Sequence, residues 1–181
     1  MEYAEGGLKK LDKLFEKLKG KRAKDILDDL KLRTHPIPIE YILWKYGIEL
    51  KIADFDEKRD ILGGIGIYED GNVIMGVSAN SDYNSKRFTV AHELGHLCLH
   101  SQDIIDRGGY IAFAQNLNDI GDAKEIEANA FASELLIPER NIKKAHRQLF
   151  IPFLRMLADE FEVSVNVMRE RLINLRLNYV E

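Results

Sequence analysis

The stretch Arg87-Phe88-Thr89-Val90-Ala91-His92-Glu93-Leu94-Gly95-His96 decides how the rest of the chain is read. From Ser85 to Leu99 the residue pattern is helical, and Ser85 is the expected N-cap. His92 and His96 stand at i and i+4, so their imidazoles are neighbours on one helix face. That spacing lets both rings bind one tetrahedral zinc at about 2.0–2.1 Å. Glu93 follows the first histidine directly, where it is placed to hold a water at the metal. Phe88, Ala91 and Gly95 give the helix an inward face. A glycine in a helix costs about 1 kcal/mol relative to alanine. Its presence at 95 predicts a close approach there, by a sheet or by substrate.

A catalytic zinc needs a third protein ligand and an open fourth position. His100 continues the i, i+4 series. It lies about 12 Å along the axis from His92, too far for both rings to share an ion with His96 between them. His100 is expected to close the helix C-terminus instead. A second known arrangement takes a histidine six positions after His96, but that residue is Gln102. The next long helix, residues 122 to 137, offers Glu125 and Glu127. Glu125 has Asn129 at i+4, on the same face, so Glu125 can ligate while Asn129 orients a ligand histidine. Glu127 has Phe131 at i+4, which gives a histidine no hydrogen bond. Glu125 is therefore the favoured ligand and Glu127 the rival.

Upstream of this helix the pattern alternates as in strands. Ile48-Glu49-Leu50-Lys51-Ile52 is one candidate. Gly64-Ile65-Gly66-Ile67-Tyr68 and Asn72-Val73-Ile74-Met75-Gly76-Val77 flank Glu69-Asp70-Gly71, a strong hairpin signal. Helices are expected at residues 8 to 19, 23 to 32 and 39 to 46, the last stopped by Gly47. The first carries Leu8, Leu11, Phe15 and Leu18 on one face and five lysines opposite, as a solvated amphipathic helix does. Residues 101 to 121 read as irregular, and the last forty residues as two or three helices. In that last segment Ser164 is an expected N-cap, with Val163 and Met168 placed for a hydrophobic staple, in a helix-turn-helix-like arrangement. Arg169, Arg171 and Arg176 there raise DNA binding as a possibility that the mixed charge of the segment does not favour. The fold class is α+β, mostly helical, with a small sheet or hairpin before the metal-site helix. The divisions are 1–34 for N-terminal helices, 35–140 for the zinc-peptidase core and 141–181 for the C-terminal helices, packed as one unit.

The chain has 181 residues, a formal charge of -4 and one cysteine. This excludes a disulfide-stapled fold and gives no global reason to expect a polyanionic partner. No apolar run reaches the roughly 20 residues a membrane helix needs. A cytoplasmic, reducing setting is the expectation.

The block Arg87 to His96, followed by Glu125-Ile126-Glu127-Ala128-Asn129-Ala130-Phe131-Ala132 and Leu135-Leu136-Ile137-Pro138, resembles the ImmA/IrrE family of metallopeptidases. The two blocks cover about fifty residues, and the layout fits more loosely over residues 23 to 175. The resemblance implies a zincin-like fold with His92, His96 and Glu125 on zinc and Glu93 as the catalytic glutamate, a gluzincin-like zinc endopeptidase. It also implies a substrate class, helix-turn-helix repressors of mobile elements or stress responses. The family usually has methionine where this chain has Ile137, and the 101–121 segment is family-atypical. Peptide hydrolysis by such a site needs a further donor for the oxyanion. His146, Tyr110 and Arg87 are the candidates, and the sequence does not choose among them. The rival function is a zinc-containing regulator that binds a repressor or DNA without cleaving it, with Glu127 or His100 closing a four-ligand site.

Overall fold

The computed structural model describes residues 5–54, 61–106, 110–114, 123–149 and 151–181. Within these, helix α1 (Glu5–Leu18) buries Leu11, Leu14, Phe15 and Leu18 and leaves its lysines in solvent, so its apolar stripe is a core face. Helix α2 (Ala23–Asp29) is shorter than its sequence pattern. Lys31 takes a left-handed φ of 55°, and the Leu32 N–H turns back to the Leu27 carbonyl at 2.8 Å. Helix α3 (Ile39–Tyr46) ends where Gly47 adopts φ 69°.

Four strands make one sheet in the order β1-β3-β2-β4. Strand β1 (Ile48–Ala53) runs parallel to β3 (Val73–Ser78). Strand β2 (Ile61–Ile67) is antiparallel to β3, in the hairpin read from Asp70-Gly71. Gly71, at φ 75°, makes that reversal, and the Tyr68 N–H donates to the Asn72 carbonyl at 2.9 Å. Strand β4 (Tyr110–Ala114) pairs with the other edge of β2. It falls in the segment that reads as irregular, as does helix α5 (Ser101–Asp106). Six residues of helix and five of strand are too short to show a period, and β4 is specified by its pairing with β2.

Helix α4 (Tyr83–Leu99) crosses the sheet and carries the histidines. Its N-cap is Asp82, not Ser85. The Asp82 carboxylate accepts from the Ser85 N–H at 3.0 Å and from the Ser85 hydroxyl at 2.5 Å. The sheet lies close at Gly63, where an added Cβ would stand 2.4 Å from Thr89 Cγ2 and 2.8 Å from the Gly76 carbonyl oxygen. On its other side α4 packs most extensively against α6 (Ala123–Leu136). The close approach anticipated at Gly95 is made by this helix rather than by the sheet: an added Cβ would lie 3.1 Å from the Phe131 ring.

The C-terminal helices α7 (Glu139–Gln148), α8 (Leu154–Phe161) and α9 (Val165–Asn174) complete the element order. Ser164 caps α9, and Val163 and Met168 are both buried beside it. Glu162 ends α8 at φ 53°. One hydrophobic core runs from Leu11 to Leu172 through every layer. No described helix is long and apolar enough to cross a membrane.

Two outcomes test this packing. Gly63→Ala is expected to destabilise the protein by about 1–3 kcal/mol through overpacking against Thr89, measured by chemical denaturation. Cys98 is buried, and burial pushes its thiol up to about 12. It is expected to stay inert to a thiol reagent in the native state and to react on unfolding.

Candidate metal centre

Helical spacing puts His92 and His96 one turn apart on α4, and the α4–α6 contact brings Glu125 to them from the first turn of α6. The three ligand atoms lie close together: His92 Nε2 is 2.9 Å from His96 Nε2 and 3.2 Å from Glu125 Oε2, and His96 Nε2 is 3.3 Å from Glu125 Oε1. A tetrahedral ion with bonds of about 2.0–2.1 Å separates neighbouring ligand atoms by roughly 3.3 Å. The observed spacings, 2.9–3.3 Å, are near that value. Among the described residues, these three form the group of histidine, cysteine and acidic side chains that could do so.

The proton inventory supports the same conclusion. His92 Nδ1 is 2.9 Å from Asn129 Oδ1. An amide oxygen accepts, so Nδ1 carries the proton and the Nε2 lone pair faces Glu125. Burial pushes the His96 ring down to about 3, helped by His92 nearby, so it is neutral at neutral pH, as a ligand must be. Glu125 stands in the first turn of α6, where the helix field favours its charged form. Neutral ring nitrogens and a carboxylate converging on one point suit a divalent cation.

Glu93 is fully buried, and neither carboxylate oxygen has a hydrogen-bond partner among the described residues. Burial, then the charge of Glu125, pushes its carboxyl well above the usual range. A structural carboxylate would be paired or solvated. An unsatisfied one beside three converged ligands fits a group that handles a proton at the ion.

The other residues singled out in the sequence are placed elsewhere. His100 closes α4, its backbone N–H donating to the His96 carbonyl at 2.8 Å. Glu127 Oε2 is 3.0 Å from His100 Nε2, on the far side of His96 from Glu125. Of the oxyanion candidates, buried Arg87 donates from Nη2 to the Ile37 carbonyl at 2.9 Å and from Nε to the Glu162 carbonyl at 3.2 Å. It ties α4 to the C-terminal helices. His146 Nε2 donates to the Asn178 carbonyl at 2.6 Å. The Tyr110 side chain, like Gly108 and Gly109, lies outside the described residues. Among the arginines of the C-terminal segment, Arg169 pairs with Glu181 at 2.9 Å and Arg171 donates to the Ile137 carbonyl at 3.1 Å.

The state of Glu93 is testable without substrate. In the metal-free protein a carboxyl with a raised pKa contributes stability that is full below its ordinary 4.5 and is lost as pH rises through the folded value. Glu93→Gln carries no such proton. Its stability relative to the parent is expected to improve by about 1.4 kcal/mol per pH unit above that range until the folded value is reached. Denaturation midpoints of both proteins at several pH values check this.

Comparison with known proteins follows the same lines. The chain superposes on a Mycobacterium tuberculosis transcriptional regulator with a TM-score of 0.56 at 20% sequence identity. The match covers 92% of this chain and 52% of that one, so the chain spans about half the length of this structural neighbour. At that identity the likeness is one of fold. No curated protein matches the sequence. The profile of the peptidase M78 family, described as the IrrE N-terminal-like domain, matches residues 45–173, a span that includes β1 to β4, both site helices and nearly all of the C-terminal helices. This chain belongs to the ImmA/IrrE family, as a member with the IrrE N-terminal-like domain.

Proposed function

We propose that this protein is a zinc-dependent metalloendopeptidase of gluzincin-like, HExxH-plus-glutamate type, and that its substrate is a helix-turn-helix transcriptional repressor. The observation that carries the reading is the buried carboxyl of Glu93, without a hydrogen-bond partner among the described residues, beside the converged His92, His96 and Glu125. Membership of a peptidase family supports it independently.

In this reading His92, His96 and Glu125 hold the ion. Bound zinc supplies Lewis-acid polarisation of the scissile carbonyl and lowers the pKa of water to about 7. Glu93 takes the proton from the attacking water. Its raised pKa suits that task, because a carboxyl that takes up a proton more readily than an ordinary glutamate can hold it and then give it back. It then passes that proton to the leaving amine. Asn129 holds the His92 ring in the tautomer that presents Nε2. The dry surroundings of Glu93 keep bulk water from competing for its proton.

The repressor assignment rests on the family resemblance and on the naming of the structural neighbour as a transcriptional regulator. We place the activity in the cytoplasm, where such a substrate is found. The division at 1–34, 35–140 and 141–181 is part of the same proposal, with the last segment docking the substrate.

The test is co-incubation of the zinc-loaded protein with the repressor encoded nearest its gene, beside Glu93→Gln. The parent is expected to cleave. Glu93→Gln is expected to keep its zinc and to cleave slower by about a hundred- to ten-thousand-fold, the contribution of a positioned acid–base group. Equal cleavage by the two proteins would refute the role of Glu93. A zinc-loaded parent that binds the repressor and leaves it whole would turn the reading into that of a non-catalytic regulator.

A further inference from the structure

His96 differs from His92 in what stands behind it. His92 faces a neutral amide. His96 Nδ1 faces a second imidazole, His100 Nδ1, at 3.1 Å. The far nitrogen of that ring, His100 Nε2, is 3.0 Å from Glu127 Oε2. The His100 side chain is nearly buried at 8% exposure, while Glu127 reaches the surface at 61%.

Each neutral imidazole has one N–H and one bare nitrogen. A carboxylate oxygen only accepts, so His100 Nε2 carries the proton that Glu127 receives. His100 Nδ1 is then bare and accepts. His96 Nδ1 must donate to it, and His96 Nε2 is left bare, pointing at His92 and Glu125. One carboxylate thereby fixes the tautomers of two rings in succession. The contacts Glu127–His100–His96 are consecutive along one line, and no other arrangement of protons satisfies both hydrogen bonds with neutral rings.

We infer that Glu127 and His100 form a relay of positioning residues that locks His96 in the tautomer with Nε2 free for the metal and strengthens it as a ligand. The inference rests on the proposed metal site and adds to it a role for the two residues that were rival ligands in the sequence. Neither touches the ion in this role, and neither is a catalytic residue. The i+4 spacing that carries the two ligands along α4 is used once more, one turn on, to support the second of them. Glu127 reaches the surface at the end of this line, so its value lies in orienting His100.

Zinc affinity, measured by competition with a chromophoric chelator, tests the relay without substrate. His100→Phe keeps a ring of similar size and removes both nitrogens. It is expected to weaken zinc binding by about ten- to a hundred-fold, the usual effect of removing an outer partner of a ligand. Glu127→Ala is expected to weaken it less, and Glu127→Gln, whose amide oxygen still accepts, to restore most of the loss. NMR of the nitrogen-15-labelled, zinc-loaded protein gives the second readout. The His96 Nδ1 proton is expected to be protected from solvent exchange in the parent and in Glu127→Gln, and to exchange freely in His100→Phe. Glu127 is at the surface, so Glu127→Ala decides the matter even where His100→Phe does not fold. A Glu127→Ala protein that matches the parent in affinity and in proton protection overturns the relay and leaves the metal site standing. A folded parent that binds no zinc overturns both.

Discussion

Phe131 lies against Gly95 with no spare room for a methyl group, and this contact sets how near α6 comes to α4. The metal centre depends on that distance. In the proposed site two ligands come from α4 and one from α6, and ligand atoms that must share an ion at about 2 Å tolerate little displacement. The glycine gives up helix propensity, and the helix is held by packing on both sides instead, with Leu94, Leu97 and Cys98 fully or almost fully buried. On the sheet side Gly63 plays the corresponding part, letting β2 sit on Thr89 next to Glu93.

The same closeness dictates the electrostatics. Glu93 is sealed between helix and sheet, where its charge is unfavourable, while Glu125, partly exposed in the first turn of α6, sits where the helix field favours its charged form. Two glutamates within one site are thereby separated in character, which in the proposed reading suits one to exchange a proton and the other to bind a cation. Environment, not residue type, makes that division. The histidines are divided in a similar way, His92 backed by an amide and His96 by a ring and a carboxylate.

Arg87 shows how the rest of the molecule is attached to this centre. In the sequence it is one of three candidates for the oxyanion donor. The structure uses it as a brace, with its guanidinium shared between the Ile37 and Glu162 carbonyls and paired with the Glu162 carboxylate at 3.5 Å. Glu162 adopts the left-handed turn between α8 and α9, so the C-terminal helices are anchored to the base of the metal-site helix. Arg171 adds a second tie, to the Ile137 carbonyl beyond α6. Long polar side chains that read as surface charge in a sequence serve here as internal fasteners, because buried carbonyls need donors.

Local patterns in the sequence determined the helix carrying His92 and His96, the hairpin turning at Asp70-Gly71, the stop at Gly47 and the cap at Ser164. Each depends on spacing or on the preference of a single residue for a turn, and these survive without neighbours. That Glu125 rather than Glu127 stands beside the paired histidines was also legible, because Asn129 and Phe131 differ in what they can offer a histidine. Strand β4, the brace at Arg87 and the line from Glu127 through His100 to His96 were decided by tertiary structure alone. In each case a deciding partner is distant in the sequence. A hydrogen bond's direction follows from which atoms the fold brings face to face, and no residue carries that information in its own identity.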